Sequence, residues 1–280
     1  MPIKDILLPL VGDPDPAAVA AIEKCVAMAR DIGARISALA IEVDIPVRPK
    51  VIVSDDIGNS EATEAARSVS NARDLLKAFD AASARSGTRN EQQVRRSEAL
   101  AIAATLAEAA RLKDMSLVPL KSHDGQDEKI VEQLIFHSGR PVMLCPEEFA
   151  EKLPTALNTV AIAWDHSAPA ARAIADAMPL LKAAADVRII TASDAKSAAE
   201  LESGTALVNH LAVHGIVASF EMLGIGGSSV GKIFEKYVNA NAVDLLVMGA
   251  YRHSRLNQFI WGGASNTIIG RPPCWVMMSH

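Results

Sequence analysis

Residues 244–280, DLLVMGAYRHSRLNQFIWGGASNTIIGRPPCWVMMSH, hold the residue types in this chain best suited to binding an anion. An apolar Leu-Leu-Val-Met run ends at Gly249, where a permissive backbone lets the chain turn just past the carboxyl end of a strand, the edge at which α/β sheets place ligands. Gly262 and Gly263 come just before a predicted helix start at Ser265. Small residues permit close approach there, and free N–H groups at a helix start favour negative charge. Arg252 lies between the two glycine positions and offers a guanidinium to a phosphate. His253, Ser254 and Arg255 fall in the polar loop alongside. Serine beside histidine suggests a nucleophile, but Ser254 does not lie in a G-x-S-x-G elbow and has no evident orienting acid, so phosphate contact or loop structure is the expected role.

Other candidates are weaker. Asp165 follows an apolar strand and either lines the same edge or caps the next helix. Asp13 and Asp15 stand in a similar loop near the amino terminus, where capping or turn formation is expected. Gly224-Ile225-Gly226-Gly227-Ser228-Ser229 precedes a helix-like stretch and reads as a strand-to-helix connector, with anion binding by its N–H groups as the alternative. His210 and His214 share a helix face without an H-E-x-x-H arrangement or third ligand, so no metal site is expected. No G-x-x-x-x-G-K-[ST] run occurs. Cys25, Cys145 and Cys274 are far apart in sequence and read as small buried residues.

The elements that must position these residues occur twice. Ile3–Leu10, a Gly-Asp-Pro-Asp-Pro turn and a helix over 16–32 are matched by Val160–Trp164, Asp165-His166-Ser167 and a helix over 169–184. Proline stands at both helix starts, where its missing N–H loses no bond. Both units end alike, in Gly139-Arg140-Pro141-Val142-Met143-Leu144 and in Gly270-Arg271-Pro272 before an apolar run. Alternating strand and helix patterns between these ends indicate a parallel sheet with crossover helices. Strands are expected near 3–10, 35–42, 92–96, 115–120 and 141–145, then near 159–164, 186–192, 216–223, 244–249 and 274–279. The stretch 44–60 reads as an exposed loop with a short extended piece. The charged segment 146–154, bracketed by prolines, suits a linker.

A chain of 280 residues is comfortable as two domains with two cores. Half its residues are apolar and the formal charge is −5, which gives no electrostatic reason to bind nucleic acid or an anionic membrane. No apolar run approaches the roughly 18 residues that span a bilayer, and the start has no signal-peptide pattern, so a cytoplasmic protein is expected.

The carboxyl-terminal stretch resembles the universal stress protein family, whose nucleotide-binding members show G-x2-G-x9-G-[ST] between two strands. Here the pattern falls on Gly249, Arg252 in the second glycine's place, residues 253–261, Gly262, and Gly263 in the hydroxyl residue's place, with Ser265 two positions on. The Ala-Tyr-x-His-Ser-Arg-Leu wording around 250–256 is also typical of the family. The resemblance implies two tandem flavodoxin-like or Rossmann-like α/β domains of the adenine nucleotide alpha hydrolase-like kind, each with a roughly five-stranded parallel sheet. The first, 1–148, is a degenerate copy lacking the glycine cradle; the second, 155–280, carries the site. By resemblance, Asp165 and the backbone of Ile162, Ala163 and Trp164 edge an adenosine pocket. Gly249, Arg252, His253, Gly262, Gly263 and Ser265 surround the phosphates of ATP or another adenine nucleotide, with Mg²⁺ as a companion. The implied output is a nucleotide-dependent change in stability or in binding of an unknown protein partner. A nucleotide-free interaction module, with Arg252 filling the site, and a slow ATPase are the alternatives. The family's terminal strands often pair between domains, which a tandem chain can do internally, and a homodimer is left open.

Overall fold

The computed structural model describes residues 2–12, 15–45, 55–194, 197–250, 252–255, 258–261 and 263–280. Asp13 and Gly262, singled out above, lie outside the described residues. The first half runs β1 (Asp5–Leu10), α1 (Pro16–Ile32), β2 (Arg35–Asp44), α2 (Asp55–Ser86), β3 (Asn90–Glu98), α3 (Ile102–Ala110), β4 (Met115–Leu120), α4 (Gly125–His137) and β5 (Val142–Pro146). A 3-10 segment, Glu147–Lys152, connects it to β6 (Thr159–Ala163), α5 (Ala168–Ala183), β7 (Asp186–Ala192), α6 (Ala198–Val213), β8 (Ala218–Leu223), α7 (Val230–Ala240) and β9 (Leu245–Gly249). The chain then forms β10 (Arg252–Arg255), β11 (Gln258–Trp261), α8 (Gly263–Gly270) and β12 (Trp275–Ser279).

Ten strands form one sheet in the order β3-β2-β1-β4-β5-β12-β9-β6-β7-β8. Within each half the pairs are parallel, and β5 meets β12 antiparallel with Met143 opposite Met277. Each half therefore winds outward from its first strand, then returns to that strand's other side. The two reversal points lie between β1 and β4 and between β6 and β9. A strand-edge crevice opens at such a reversal because the helices on its two sides lie on opposite faces.

The two expected cores are present, but they follow the faces of the sheet rather than the halves of the chain. One contains Ile6, Leu8, Ile162, Val247 and Met277 with residues of α1, α2, α5 and α6. The other contains Leu7, Ala161, Met248 and Met278 with residues of α3, α4, α7 and α8. Alternation along each strand sends neighbours to opposite faces, and the β5–β12 pairing makes each face continuous across the halves. Trp275 lies at the centre, with no exposed surface, and its indole N–H donates to the Pro154 carbonyl at 2.8 Å. That bond ties the connector to the central strand.

Several expectations need correction. The 44–60 stretch is not all loop, because α2 begins at Asp55. Acidic residues at a helix start favour the positive end of its dipole, which offsets the poor propensities of Gly58 and Asn59. The polar loop after Gly249 contains an antiparallel ribbon, β10–β11, with Arg252 opposite Trp261. Helix α8 starts at Gly263, two residues before Ser265. Strand β3 extends beyond 92–96 to Asn90–Glu98 because β2 pairs with it along nine residues. Cys25, Cys145 and Cys274 are unbridged and buried, as read from the sequence. No helix among the described residues is long and apolar enough to cross a membrane.

Candidate functional site

The cavity at the second reversal point has a volume of about 570 Å³. The end of β6 supplies Ala163, Trp164 and Asp165, the end of β9 supplies Met248 and Gly249, and α8 supplies Gly263, Ala264 and Ser265. The starts of α6 and α7 close the remaining sides with Ala199, Glu200, Ser229 and Val230. Three helix amino termini thus face one space. A helix start favours negative charge, here set against the carboxylates of Asp165 and Glu200 in the same lining.

Gly249 serves a different purpose from the one its position suggested. It lies in β9 without a left-handed φ, so turning freedom is not its role. A Cβ placed there would come within 2.5 Å of the Ala170 nitrogen and 2.7 Å of the Pro169 carbonyl carbon. Its lack of a side chain lets α5 start directly above the strand end. Gly263 is the opposite case, since a Cβ there meets nothing within 4 Å among the described residues. The space above it is open to a ligand. Ser265, on the next positions of α8, is 1% exposed and still lines the cavity.

On the β6 side, Asp165 does not cap α5. Its carboxylate accepts the Ser167 N–H at 3.1 Å, and the Ser167 hydroxyl caps the helix by accepting from the Ala170 N–H at 3.1 Å. Asp165 shapes the turn, and His166 completes it at φ 64°. Trp164 is held at three points. Its N–H donates to the Ile190 carbonyl at 2.9 Å, its carbonyl accepts from the Thr191 hydroxyl at 2.7 Å, and its indole donates to Ser203 at 2.9 Å. The aromatic wall is therefore fixed before any ligand arrives. The Ile162 side chain is buried in the core on the α5 face, so only its backbone is left to the strand end that the resemblance pointed to. Period-two alternation explains this, since Ala163 occupies the other face.

Arg252 and His253 lie on β10, paired with Trp261 and Ile260. Arg252 thus occupies a strand position and not a glycine turn. The connector 224–229 offers less to an anion than its glycines suggested. Asp194 already accepts from the N–H groups of Ile225 at 2.7 Å and Gly226 at 2.9 Å, which leaves a protein carboxylate where a ligand's would sit. His210 and His214 form only an edge-to-face ring contact, and no group of three His, Cys, Asp or Glu suited to a metal occurs among the described residues.

Sequence reasoning missed Glu200, Ser203 and Phe234 as lining residues. One signal was available for the first. Ser197-Ala198-Ala199-Glu200 has the spacing of a capping box, and the structure forms both of its bonds, Glu200 N to Ser197 at 3.2 Å and Ser197 N to Glu200 at 3.1 Å. Hydrogen bonds from Ser193 and Ser197 hold the Glu200 carboxyl below the usual glutamate range. It is a fixed negative group on the rim.

A ten-stranded, doubly wound sheet with a strand-edge cavity at its second reversal point defines a tandem Rossmann-like α/β protein. A comparison with family models matches the universal stress protein family over residues 157–280. A universal stress protein from Archaeoglobus fulgidus has the same fold at a TM-score of 0.66 and 15% identity, with 98% of this chain and 95% of that one covered. A Pseudomonas aeruginosa structure assigned to the same family gives a TM-score of 0.57 at 12% identity, with 99% and 93% covered. The cytoplasmic domain of a prokaryotic cation chloride cotransporter gives 0.50 at 12% identity, with 99% and 95% covered. Identities this low carry the fold and no more, and the third protein shows the fold in a different setting. No curated protein matches the chain.

Proposed function

We propose that the second half binds an adenine nucleotide in the 570 Å³ cavity, and that binding regulates the stability or partner interactions of the whole chain. The observation carrying this reading is the open space above Gly263 at the start of α8, facing the fixed wall of Trp164. Helix N–H groups at Gly263 and Ser265 suit a phosphate, while Ala163, Phe234, Val230 and Met248 suit a flat apolar base. Asp165 lies on the rim where a ribose hydroxyl can donate to a carboxylate. Arg252 and His253, on the neighbouring ribbon, are proposed phosphate contacts, with Gly262 completing the cradle. ATP with Mg²⁺ is the proposed ligand, the metal carried by the polyphosphate. The proposed units are 1–148 and 155–280, the first having no glycine cradle.

A second reading has its own support. The described cavity lining contains Asp165 and Glu200 and no lysine or arginine. That balance disfavours a highly charged polyphosphate and favours either a less charged nucleotide or a module that works without one. Mass spectrometry of small molecules released from freshly purified protein separates the two. Near-stoichiometric adenine nucleotide supports the site, and its identity fixes the phosphate number. Empty protein that gives no heat on titration with AMP, ADP or ATP contradicts it.

A further inference from the structure

The first half has its own cavity at its own reversal point, about 450 Å³ in volume. Where the second half presents helix N–H groups, this one presents carboxylates. Asp124 caps α4 by accepting from Gln126 N at 2.8 Å and Asp127 N at 3.2 Å. Asp127, in the first turn of α4, accepts from the Lys121 N–H at 2.9 Å. Glu147 faces the same cavity from the connector, and its neighbour Glu148 accepts from Ser122 N at 2.6 Å. The cap of α1, Asp15, stands 3.4 Å from the Lys121 ammonium, and α2 contributes Glu64 and Arg67. Five carboxyls, Asp15, Glu64, Asp124, Asp127 and Glu147, thus share the described lining with two cations, Lys121 and Arg67.

Burial pushes the Asp127 carboxyl up to about 6, with the charge of Asp124 adding to the effect and the Lys121 N–H opposing it. Burial likewise pushes Glu147 up to about 7, helped by the charges of Asp127 and Asp15 and opposed by Lys121. Two carboxyls in one cavity cannot both ionise without repulsion.

The loop between them and α4 reaches the other half. His123, at φ 58°, donates its N–H to the carbonyl of Gly270, the last residue of α8, at 2.9 Å. A Cβ on Gly270 would lie 3.3 Å from the His123 Nδ1, so the packing there is close. The opposite end of α8 is Gly263, at the candidate pocket.

We propose that Asp127 and Glu147 form a proton-responsive pair that sets how the 121–124 loop holds the end of α8, so that the first half regulates the pocket of the second. With both carboxyls neutral, the connector and loop pack into the cavity. With both ionised, the repulsion displaces them and loosens the hold on α8. The sign follows from the raised values. The stabilising contribution is complete below the ordinary values of 3.8 and 4.5, and is lost as pH rises through about 6 and 7.

The regulatory consequence rests on the proposed nucleotide site, but the coupling itself is readable without ligand. Amide NMR of the full chain from pH 5 to 8 is expected to show Lys121, Gly270 and Ser265 shifting together with a midpoint between 6 and 7. The deciding comparison is Glu147→Gln, with Asp127→Asn as the second variant should the first not fold. Loss of the shift at Gly270 and Ser265 in either variant supports the pair. Shifts that persist in the variants, or that stop at Lys121 without reaching α8, overturn it. Adenosine, which has no titrating group in this range, is expected to bind at least about fivefold more tightly at pH 5.5 than at pH 8 in the wild type and equally in Glu147→Gln. A chain that does not bind adenosine contradicts the nucleotide reading alone, while the amide shifts still decide the coupling.

Discussion

Gly249 and Gly263 are both glycines at the mouth of one cavity, yet they are needed for opposite reasons. The first has backbone 2.5 Å from where a side chain would begin, and the second has empty space. Gly249→Ala is therefore expected to displace the start of α5 and destabilise the fold by about 1–3 kcal/mol, the usual cost of overpacking. A drop in the denaturation midpoint checks this, and an unchanged midpoint contradicts the close approach. Sequence alone located both glycines but gave Gly249 a turning role, because spacing shows where a small residue sits and not what crowds it. The resemblance placed the Trp164 backbone at the pocket edge, but the indole's role as a wall was not legible, and its anchor Ser203 lies 39 positions away with no local sign. Ser203→Ala leaves the indole N–H without that partner. The expected loss is about 1 kcal/mol with a more mobile indole, read as lower tryptophan anisotropy.

Elements were legible where local chemistry decides them. Proline in the first turns of α1 and α5, and the run of fully buried residues in β9, fixed those elements to within a residue or two. The caps were less so, since Asp165 and Ser167 are both good cap residues two positions apart. Ser167 makes the bond, and Ser167→Ala is expected to cost about 1 kcal/mol, measurable by urea denaturation, while Asp165→Ala weakens only the turn before it. The β10–β11 ribbon was read as a loop because four-residue strands of Arg-His-Ser-Arg and Gln-Phe-Ile-Trp carry no period-two pattern. The first half's acidic cavity was invisible for another reason. Asp15, Asp127 and Glu147 come from three separate segments, and only the winding of the sheet brings them together.

At the scale of the molecule, the chain behaves as one sheet. The repeat in the sequence predicted two similar units, and the family resemblance implied that their terminal strands pair, as β5 and β12 do, though not that the pairing is antiparallel. The continuity of each core across the halves was not, because a face-by-face core depends on the sheet remaining unbroken through the centre. Removing the central indole tests that continuity. Trp275→Ala is expected to cost about 3–5 kcal/mol, with signals from both halves lost in one transition. Two separate transitions, with only the second shifted, contradict a shared core.

The central claim, a nucleotide site at the start of α8, is tested most directly by calorimetric titration of wild-type protein and Gly263→Val with the adenine nucleotide found in the purified chain. A valine there meets no atom of the described residues within 4 Å at its Cβ and fills the space assigned to phosphate. The account predicts an unchanged melting temperature and affinity lowered at least about tenfold, equivalent to about 1.4 kcal/mol. Equal binding by both proteins contradicts it.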